Sequence, residues 1–256
     1  MRIDVYLFEN GIAESRSKAQ DMIKSGAVYI DGKQVTKPSY DITDGSVEIK
    51  GDLMPYVGRG GLKLEHALDF FGIDVSGLTA ADIGASTGGF TDCLLQRGAA
   101  KVYAIDSGSG QLHAKLRTDK RVVSMENFNA RVLKSVDIGG RVPLAVMDVS
   151  FISQTALYRA VSDILEDDGV LISLIKPQFE VGRQNVGKNG IVKDKKLYQT
   201  VINDLRYSAS LYGLNMKAYT ESPIKGGDGN TEFLALFVKA AKGGKDQYEN
   251  DSDSTE

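Results

Sequence analysis

The chain has 256 residues, of which 42% are apolar and 25% are charged, so it can bury a full hydrophobic core. This composition excludes a fibrous protein and a wholly disordered one. The longest apolar stretches, such as residues 169–175, are far shorter than the roughly 18 residues that cross a bilayer. The N-terminus also lacks the apolar region of a signal peptide. We therefore expect a cytoplasmic protein without stable membrane association.

Cysteine and histidine are too scarce for a disulfide framework or a conventional metal site. Cys93 is the single cysteine, and His66 and His113 are isolated in the sequence. We therefore expect no metal ion. Cys93 falls at an apolar position of a predicted helix, with no histidine nearby in the sequence, so it is interpreted as a packing residue rather than a nucleophile.

The charge is distributed unevenly. The net charge of −3 argues against a nucleic-acid partner if the chain is taken as a whole. However, five acidic residues and no basic one follow Lys245, so the rest of the chain carries a formal charge of +2. The pattern predicts a solvated, disordered tail over residues 242–256.

Residues 1–50 predict a small α+β module. A helix over residues 2–10 is followed by Gly11, which suits a left-handed helix end. A second helix begins after the N-cap residue Ser15 and ends at Gly26. The dipeptide Asp31-Gly32 favours a tight hairpin turn. Short strands are predicted at residues 27–30, 34–36 and 46–49. A module of this size is interpreted as a binding module.

The second helix leaves Arg16, Lys18 and Lys24 on its polar face. By pattern alone, these residues either contact a partner or simply solvate the helix. A wider set of residues resembles the alpha-L RNA-binding domain of a ribosomal protein, pseudouridine synthases and tyrosyl-tRNA synthetases. That set is Ser15-Arg16-Ser17-Lys18-Ala19, Ile23, Gly26, Val28 and Asp31-Gly32. The resemblance implies that the basic helix contacts RNA phosphates.

A second region follows residues 51–61, which contain Pro55 and several glycines and are predicted to form a linker. Helical spacing returns at residues 62–71. From about Thr79 onward, short apolar strands alternate with helices, which indicates a parallel sheet covered by helices on both faces. The seven strands are predicted near residues 80–83, 102–105, 122–124, 144–147, 170–175, 216–220 and 233–238.

A glycine-rich turn at residues 81–91 joins a buried strand to a helix. Glycines at the carboxyl end of a strand let the backbone approach a ligand closely. Asp106 ends the next strand, where a carboxylate can accept hydrogen bonds from the two hydroxyls of a cofactor ribose. A nucleotide-like cofactor is therefore expected. NAD is the alternative, but three residues separate Gly84 from Gly88, so the turn does not match G-x-G-x-x-G.

The turn instead resembles the D-x-G-x-x-x-G-G-F/W pattern of the FtsJ/RrmJ-like RNA methyltransferases. This resemblance implies S-adenosyl-L-methionine as the cofactor, with its methionine part against the turn and its adenine near Asn127. The implied cofactor-binding residues are Asp82, Gly84, Ala85, Ser86, Gly88, Gly89, Phe90, Thr91, Asp106, Asn127 and Asp148.

Four charged residues form a candidate catalytic set. Methyl transfer to a ribose 2′-hydroxyl needs a general base and stabilisation of the developing alkoxide, and lysine can provide both. Asp148 and Lys176 end the fourth and fifth predicted strands, Glu232 precedes the last strand, and Lys63 lies on the preceding helix. Each residue alone could be an ordinary charge at the end of an element.

The same four residues are similar to the Lys-Asp-Lys-Glu tetrad of FtsJ-like 2′-O-methyltransferases. The runs that surround them resemble the TlyA family over nearly the whole chain. These runs are Arg59-Gly60-Gly61-Leu62-Lys63-Leu64, Gly88-Gly89-Phe90-Thr91-Asp92 and Leu174-Ile175-Lys176-Pro177-Gln178-Phe179-Glu180. The resemblance implies 2′-O-methylation of cytidine in ribosomal RNA, with Lys176 as base, Asp148 and Glu232 positioning it, and Lys63 orienting the ribose.

The implied architecture is α/β. A Rossmann-like seven-stranded S-adenosylmethionine methyltransferase sheet over residues 62–241 follows an alpha-L RNA-binding domain over residues 1–50. Ribosomal RNA or ribosomal subunits are the expected partners. Arg59 is a further predicted RNA contact. The loop between Pro177 and Lys195, with Arg183 and Lys188, is either an RNA-closing segment or a plain surface loop.

Two departures from the family pattern and two rival functions remain. Asp106 is followed by Ser107-Gly108-Ser109-Gly110 rather than by an apolar and an aromatic residue, and the linker run 54–57 lacks the tryptophan of other members. A nonenzymatic ribosome-assembly factor would be favoured by loss of a tetrad residue, and all four are present. A haemolysin, the name that this family often carries, should show a membrane-insertion segment, and none stands out.

Overall fold

The computed structural model describes residues 1–13, 15–24, 26–50, 55–188 and 190–241. Contacts between residues divide the chain into two units, Met1–Arg59 and Gly60–Glu256. The predicted acidic tail, 242–256, and residues 51–54 of the predicted linker lie outside the described residues. The linker was predicted to extend to residue 61, whereas Gly60 and Gly61 already form the first turn of a helix.

The first unit contains two helices and a three-stranded antiparallel sheet. The helices are α1 (Ile3–Glu9) and α2 (Arg16–Lys24), and the strands are β1 (Val28–Ile30), β2 (Lys33–Gln34) and β3 (Val47–Ile49), in the order β2-β1-β3. Its core contains Ile3 and Leu7 of α1, Ile23 of α2 and Val28 of β1. The apolar faces of the short helices are therefore buried against each other and against the sheet, which supplies the stability that helices of this length lack alone.

The caps and the turn of the first unit confirm the sequence-based predictions. Ser15 Oγ accepts a hydrogen bond of 3.2 Å from the backbone N–H of Lys18, as an N-cap does. Gly11 has φ of +69° where the first helix ends. Asp31 and Gly32 have φ of +48° and +76°, so the hairpin turn needs two residues that accept positive φ.

The second unit is built on a seven-stranded sheet in the order β6-β5-β4-β7-β8-β10-β9. Its strands are β4 (Thr79–Ile83), β5 (Lys101–Ile105), β6 (Val122–Met125), β7 (Val142–Met147), β8 (Leu165–Ile175), β9 (Leu214–Glu221) and β10 (Phe233–Lys239). Its helices are α3 (Gly60–Phe71), α4 (Gly89–Gln96), α5 (Ala114–Arg117), α6 (Tyr158–Ile164) and α7 (Leu197–Ser210). All seven predicted strands are therefore present.

The sheet is mixed rather than wholly parallel, which corrects one prediction. Strands β6, β5, β4, β7 and β8 pair in parallel, but β10 is antiparallel to both β8 and β9. The physical reason is the connection that precedes β10. Residues 222–232 form a loop without a helix, so the chain returns directly beside β9 instead of crossing over the sheet.

Helices cover both faces of this sheet. Tyr158 and Val161 of α6 and Ile202 of α7 belong to the same buried cluster as Ile83 of β4 and Ile175 of β8. Neighbouring strand residues point to the opposite face, on the side of α3 and α4, and they too are buried. The central strands are consequently apolar on both faces, as parallel strands in α/β proteins are.

The topology brings the carboxyl ends of β4, β5, β7 and β8 to one edge of the sheet, where the reversed strand β10 begins. Polar residues that follow these strands are therefore gathered at that edge. Within the described part of the chain, every helix falls short of the length and apolar character that a bilayer crossing requires.

Candidate active site

The glycine turn after β4 passes unusually close to the end of β7. Gly84 has φ of +83°, and a Cβ atom placed on it would lie only 2.3 Å from the carbonyl oxygen of Asp148. In addition, the backbone N–H of Asp148 donates a hydrogen bond of 2.9 Å to the carbonyl of Ile83. Glycine is required here by both conformation and space. The turn is therefore packed tightly against the end of β7, which places Asp148 beside it.

Asp106, at the end of β5, is held by two backbone groups. Its Oδ2 accepts a hydrogen bond of 2.8 Å from the N–H of Ser86, and its Oδ1 accepts one of 2.7 Å from the N–H of Gly108. Ser86 has φ of +49°, which is uncommon for a residue other than glycine. Each carboxylate oxygen can still accept a further hydrogen bond, so Asp106 can receive two neighbouring hydroxyl groups.

A cavity of about 360 Å³ lies at this edge of the sheet. Four of the predicted cofactor-binding residues line it, namely Gly84, Ser86, Asp106 and Asp148. The other residues of its wall are Ile83, Ile105, Ser107, Gln111, Phe128, Asn129, Ala130, Arg131, Val149, Ser150, Phe151, Ile152 and Leu157. Its size and its mixture of apolar and polar groups are typical of a site for a small organic cofactor.

Several other predicted cofactor-binding residues are buried behind the turn and are not among the residues that line this cavity. These residues are Asp82, Ala85, Gly88, Gly89, Phe90 and Thr91. Gly88, with φ of +94°, is packed against the side chains of Leu112 and Leu116. In the described structure these residues shape the turn, and their contact with a cofactor stays a prediction.

Asp82 is a fully buried carboxyl below the turn. Its Oδ2 accepts a hydrogen bond of 2.6 Å from the hydroxyl of Thr91. Burial raises the pKa of Asp82 to about 7, and the carboxylates of Asp148 and Asp106 add to this shift, whereas the Thr91 hydroxyl opposes it. The side chain therefore links β4 to α4 from inside the fold.

The predicted adenine contact falls near the cavity rather than on its wall. Asn127 is exposed, with φ of +54°, and its backbone N–H donates to the carbonyl of Gly108. The next four residues, 128–131, line the cavity instead. Sequence reasoning missed them and also Gln111. Gln111 is brought to the cavity by Glu126, whose carboxylate accepts hydrogen bonds from the backbone N–H groups of residues 110–112. The acidic residue next to Asn127 is the sequence feature that could have indicated this.

Lys176 forms the most informative polar contact of the site. Its Nζ lies 2.5 Å from Oδ1 of Asp148 and donates a hydrogen bond of 2.8 Å to Oγ of Ser150. Asp148 and Ser150 both line the cavity. The predicted base and one of its predicted positioning residues are thus brought together at the cavity rim, and Ser150 is a partner that the sequence did not reveal.

The other two tetrad residues form a buried ion pair. Nζ of Lys63 lies 2.5 Å from Oε2 of Glu232, and the two residues are 7% and 3% exposed. In the sheet, Ile175 is paired with Phe233, so the residues that flank this pair, Lys176 and Glu232, adjoin each other. The four charges therefore form two ion pairs, one between residues that follow β7 and β8 and one between α3 and the residue that precedes β10.

The predicted RNA-binding residues of the first unit differ in their surroundings. Arg16 donates a hydrogen bond of 3.1 Å to buried Asp4, and Lys18 donates to the carbonyl of Val57. Burial would raise the pKa of Asp4, but hydrogen bonds from Gln20, Arg2 and Arg16 hold it well below its ordinary value. Lys24 is exposed, and Arg59 is half-buried. Arg16 and Lys18 thus also stabilise the fold.

Arg183 and Lys188 are exposed in the segment after β8. This segment has a bridge between Val186 and Val192, so it has local structure. The buried side chain of Asn230 fastens it, because it accepts a hydrogen bond from Val192 N–H and donates one to the carbonyl of Gly190. The segment is therefore an anchored hairpin next to the loop that carries Glu232.

Phe151 is a large apolar residue at an unusual position. Its side chain is 91% exposed, its φ is +65°, and it belongs to the cavity wall. The ring centroid of Phe179 lies 5.2 Å from its own. An exposed aromatic ring on a strained backbone is rarely explained by packing, so Phe151 is a candidate contact for a flat ligand.

A seven-stranded sheet in this order, with its glycine turn and strand-end aspartate, defines the class of S-adenosylmethionine-dependent methyltransferases. Residues 56–239 match the family described as FtsJ-like methyltransferase, and residues 1–47 match the S4 domain. The chain belongs to the FtsJ-like methyltransferase family, in the group of TlyA and hemolysin A proteins that combine both domains. The predicted family and fold class are confirmed.

Individual relatives match along nearly their whole length. Hemolysin A of Brachyspira hyodysenteriae is 45% identical over 93% of this chain and 100% of that protein. The 16S/23S rRNA (cytidine-2′-O)-methyltransferase TlyA of Mycobacterium tuberculosis is 42% identical over 91% of this chain and 88% of that protein. A solved structure described as a hemolysin from Streptococcus thermophilus has a TM-score of 0.75 and 44% identity, covering 94% of this chain and 88% of that one.

Proposed function

We propose that this protein transfers a methyl group from S-adenosylmethionine to the 2′-hydroxyl of a cytidine in ribosomal RNA. The observation that carries the proposal is the position of Lys176, whose ammonium is held by Asp148 and Ser150 on the rim of the cavity. The TlyA relatives named as rRNA (cytidine-2′-O)-methyltransferases support the choice of substrate.

The described residues fit this cofactor. Asp106 presents two carboxylate oxygens for the ribose hydroxyls, and the backbone of Gly84, which packs against that of Asp148, forms part of the cavity wall. Residues 128–131 would contact the adenine on the opposite wall. When bound, S-adenosylmethionine supplies a methyl group on a positively charged sulfur, which a hydroxyl oxygen can attack in line.

Lys176 acts as the general base. A lysine nitrogen has three positions around it besides its own side chain, and Ser150 occupies one of them as a hydrogen-bond acceptor, while the carboxylate of Asp148 lies beside the nitrogen as an ion-pair partner. A ribose 2′-hydroxyl would take another of these positions. In its neutral form, Lys176 would accept the hydroxyl proton while the oxygen gains the methyl group and the carbon–sulfur bond breaks with its electron pair left on sulfur; Asp148 would then stabilise the resulting ammonium.

Lys63 and Glu232 support this step from inside the protein. Glu232 adjoins Lys176 across the sheet, and its charge is neutralised by Lys63 rather than by solvent. The pair fixes the negative charge of Glu232 next to the base. Removing either partner would leave an uncompensated buried charge at the reaction centre.

The RNA would be held by exposed basic side chains and by an aromatic ring. Arg16 and Lys24 in the S4 unit, and Arg183 and Lys188 after β8, are exposed and can contact phosphates. Phe151, which is 91% exposed, can stack on an unpaired base next to Lys176. Sequence-specific recognition of RNA commonly targets such unpaired bases.

The test is methyl transfer from radiolabelled S-adenosylmethionine to purified ribosomal subunits. Wild type is compared with Lys176→Ala and with the matched control Lys217→Ala, which removes an exposed lysine from the edge strand β9. We expect incorporation by wild type and Lys217→Ala and a loss of at least roughly 100-fold in Lys176→Ala. Nuclease digestion and mass spectrometry identify the nucleoside, and blocked reverse transcription at low nucleotide concentration locates it.

Three results would contradict the proposal. A methyl group on a base rather than on a ribose would refute the reaction, and full activity of Lys176→Ala would refute the base. No incorporation despite measured cofactor binding would favour a ribosome-assembly factor instead.

A further inference from the structure

Glu180 is a partly buried carboxyl that the proposed reaction does not use. It lies four residues after Lys176, and one tight turn joins them, because the N–H of Phe179 donates to the carbonyl of Lys176 and the N–H of Glu180 donates to that of Pro177. Glu180 is thus rigidly connected to the backbone of the base. Burial raises its pKa, and its hydrogen bonds with Ser153 and Gln154 lower it in part.

The carboxylate of Glu180 reaches the segment after β7. Its Oε2 accepts a hydrogen bond of 2.7 Å from the hydroxyl of Ser153, and its Oε1 accepts one of 3.0 Å from the backbone N–H of Gln154. Ser153 follows Ser150 by three residues, and Ser150 is the residue that accepts a hydrogen bond from Lys176. One side chain therefore joins the segment that carries the base to the segment that carries its partners.

Gln154 extends this connection into the sheet. Gln154 is 2% exposed. Its Nε2 donates a hydrogen bond of 2.6 Å to the carbonyl of Leu174, and its Oε1 accepts a hydrogen bond of 2.8 Å from the hydroxyl of Ser173. The segment after β7 is thus fastened to β8 and to the turn after β8. Such fixed contacts restrict how far Asp148 and Ser150 can move relative to Lys176.

We infer that Glu180 is a positioning residue, which sets the geometry of Lys176 with Asp148 and Ser150 by clamping the two segments together through Ser153 and Gln154. The inference rests on the proposed function in that Lys176 is taken as the base. Glu180 acts through Lys176 and its partners. Loss of the clamp should therefore lower kcat, which depends on alignment of the base, more than the affinity for the cofactor.

The test compares Glu180→Ala, Glu180→Gln and Ser153→Ala, with Glu166→Ala as a control that removes an exposed glutamate at the start of β8. A glutamine at position 180 can accept a hydrogen bond from the N–H of Gln154 and donate one to the hydroxyl oxygen of Ser153, so it can keep both contacts of the clamp. We expect kcat of Glu180→Ala to fall by about 10- to 100-fold, with cofactor Kd within about 3-fold of wild type, and Glu180→Gln to restore most of kcat.

A double-mutant cycle adds a reading that a general loss of stability would not give. If Glu180 and Ser153 act as one clamp, Ser153→Ala lowers kcat in wild type but changes it less than about 2-fold in Glu180→Ala. Independent, multiplying effects would overturn the inference, as would wild-type kcat in Glu180→Ala. If Glu180→Ala does not fold, the other two variants test the inference. A clamp requires that Ser153→Ala lowers kcat and that Glu180→Gln keeps it.

Hydrogen exchange measured by mass spectrometry separates this inference from the proposed function. Peptides that cover residues 149–154 should exchange faster in Glu180→Ala than in wild type and should be protected again in Glu180→Gln. This result does not require methyl transfer, so it holds even if wild type proves inactive on ribosomal subunits. Unchanged exchange at these residues would overturn the clamp, whatever the activity.

Discussion

The buried ion pair between Lys63 and Glu232 makes a strong prediction about stability. The two residues are 7% and 3% exposed, and their charged atoms lie 2.5 Å apart. Lys63→Ala would leave the carboxylate of Glu232 buried without its cation. Breaking a buried pair in this way costs roughly 3–5 kcal/mol of unfolding free energy. For a unit of this size, that loss corresponds to a fall of roughly 6–20 °C in Tm.

The matched comparison is the double variant Lys63→Met with Glu232→Met, which roughly keeps the volume but removes both charges. Replacing a buried pair with apolar groups of similar volume is often neutral or stabilising, so we expect recovery to within about 1.5 kcal/mol of wild type. Asp69→Ala is the exposed control, since its ion pair with Arg97 is solvated and should contribute less than about 1 kcal/mol. Urea unfolding followed by far-ultraviolet circular dichroism measures all four proteins.

Two outcomes would refute this reasoning. A loss of less than about 1 kcal/mol in Lys63→Ala, equal to that of Asp69→Ala, would mean that the pair is solvated. A double variant no more stable than Lys63→Ala would mean that the cost arises from packing rather than from an uncompensated charge. Methyl-transfer activity should stay low in the double variant in either case, because Glu232 loses its charge.

Three further predictions concern other positions. Gly84→Ala should abolish cofactor binding in calorimetry and lower the unfolding free energy by more than roughly 2 kcal/mol. Gly77 is the control, because its φ is +74° but a Cβ atom placed on it would meet no atom within 4 Å, so Gly77→Ala should cost only about 1–2 kcal/mol. Equal losses in the two variants would contradict the steric argument. In the folded state Asp82 keeps its proton up to about pH 7, whereas in the unfolded chain it releases the proton near pH 4. The unfolding free energy should therefore fall by roughly 3–5 kcal/mol as the pH rises from about 4 to about 7. Urea titrations of Asp82→Asn should lack this pH dependence. The pKa of Asp4 is held below its unfolded value, so its contribution to the unfolding free energy is present above about pH 4 and is lost as the pH falls further. Asp4→Asn should therefore lower the protection of α1 and α2 from hydrogen exchange at pH 7. Unchanged protection would contradict the role of its hydrogen bonds.

The sequence predicted the elements well because their signals are local. Short apolar runs that alternate with helices predicted all seven strands of the large sheet, and Ser15, Gly11 and Asp31-Gly32 predicted a cap, a helix end and a hairpin turn. It did not reveal that β10 runs in the opposite direction. Strand direction depends on the path of the connection in three dimensions, and an apolar strand reads the same from either end.

The site shows the same division. The residue types and their order along the chain predicted the glycine turn, Asp106, Asp148 and Lys176, since each follows a strand that its apolar run reveals, and the resemblance to known families added Lys63 and Glu232. Only the tertiary structure decided that Ser150 accepts a hydrogen bond from Lys176, that Lys63 neutralises Glu232 and that Glu180 joins two segments 26 residues apart. These contacts depend on strand order and on burial, which arise from packing among distant segments and leave no mark on local sequence pattern.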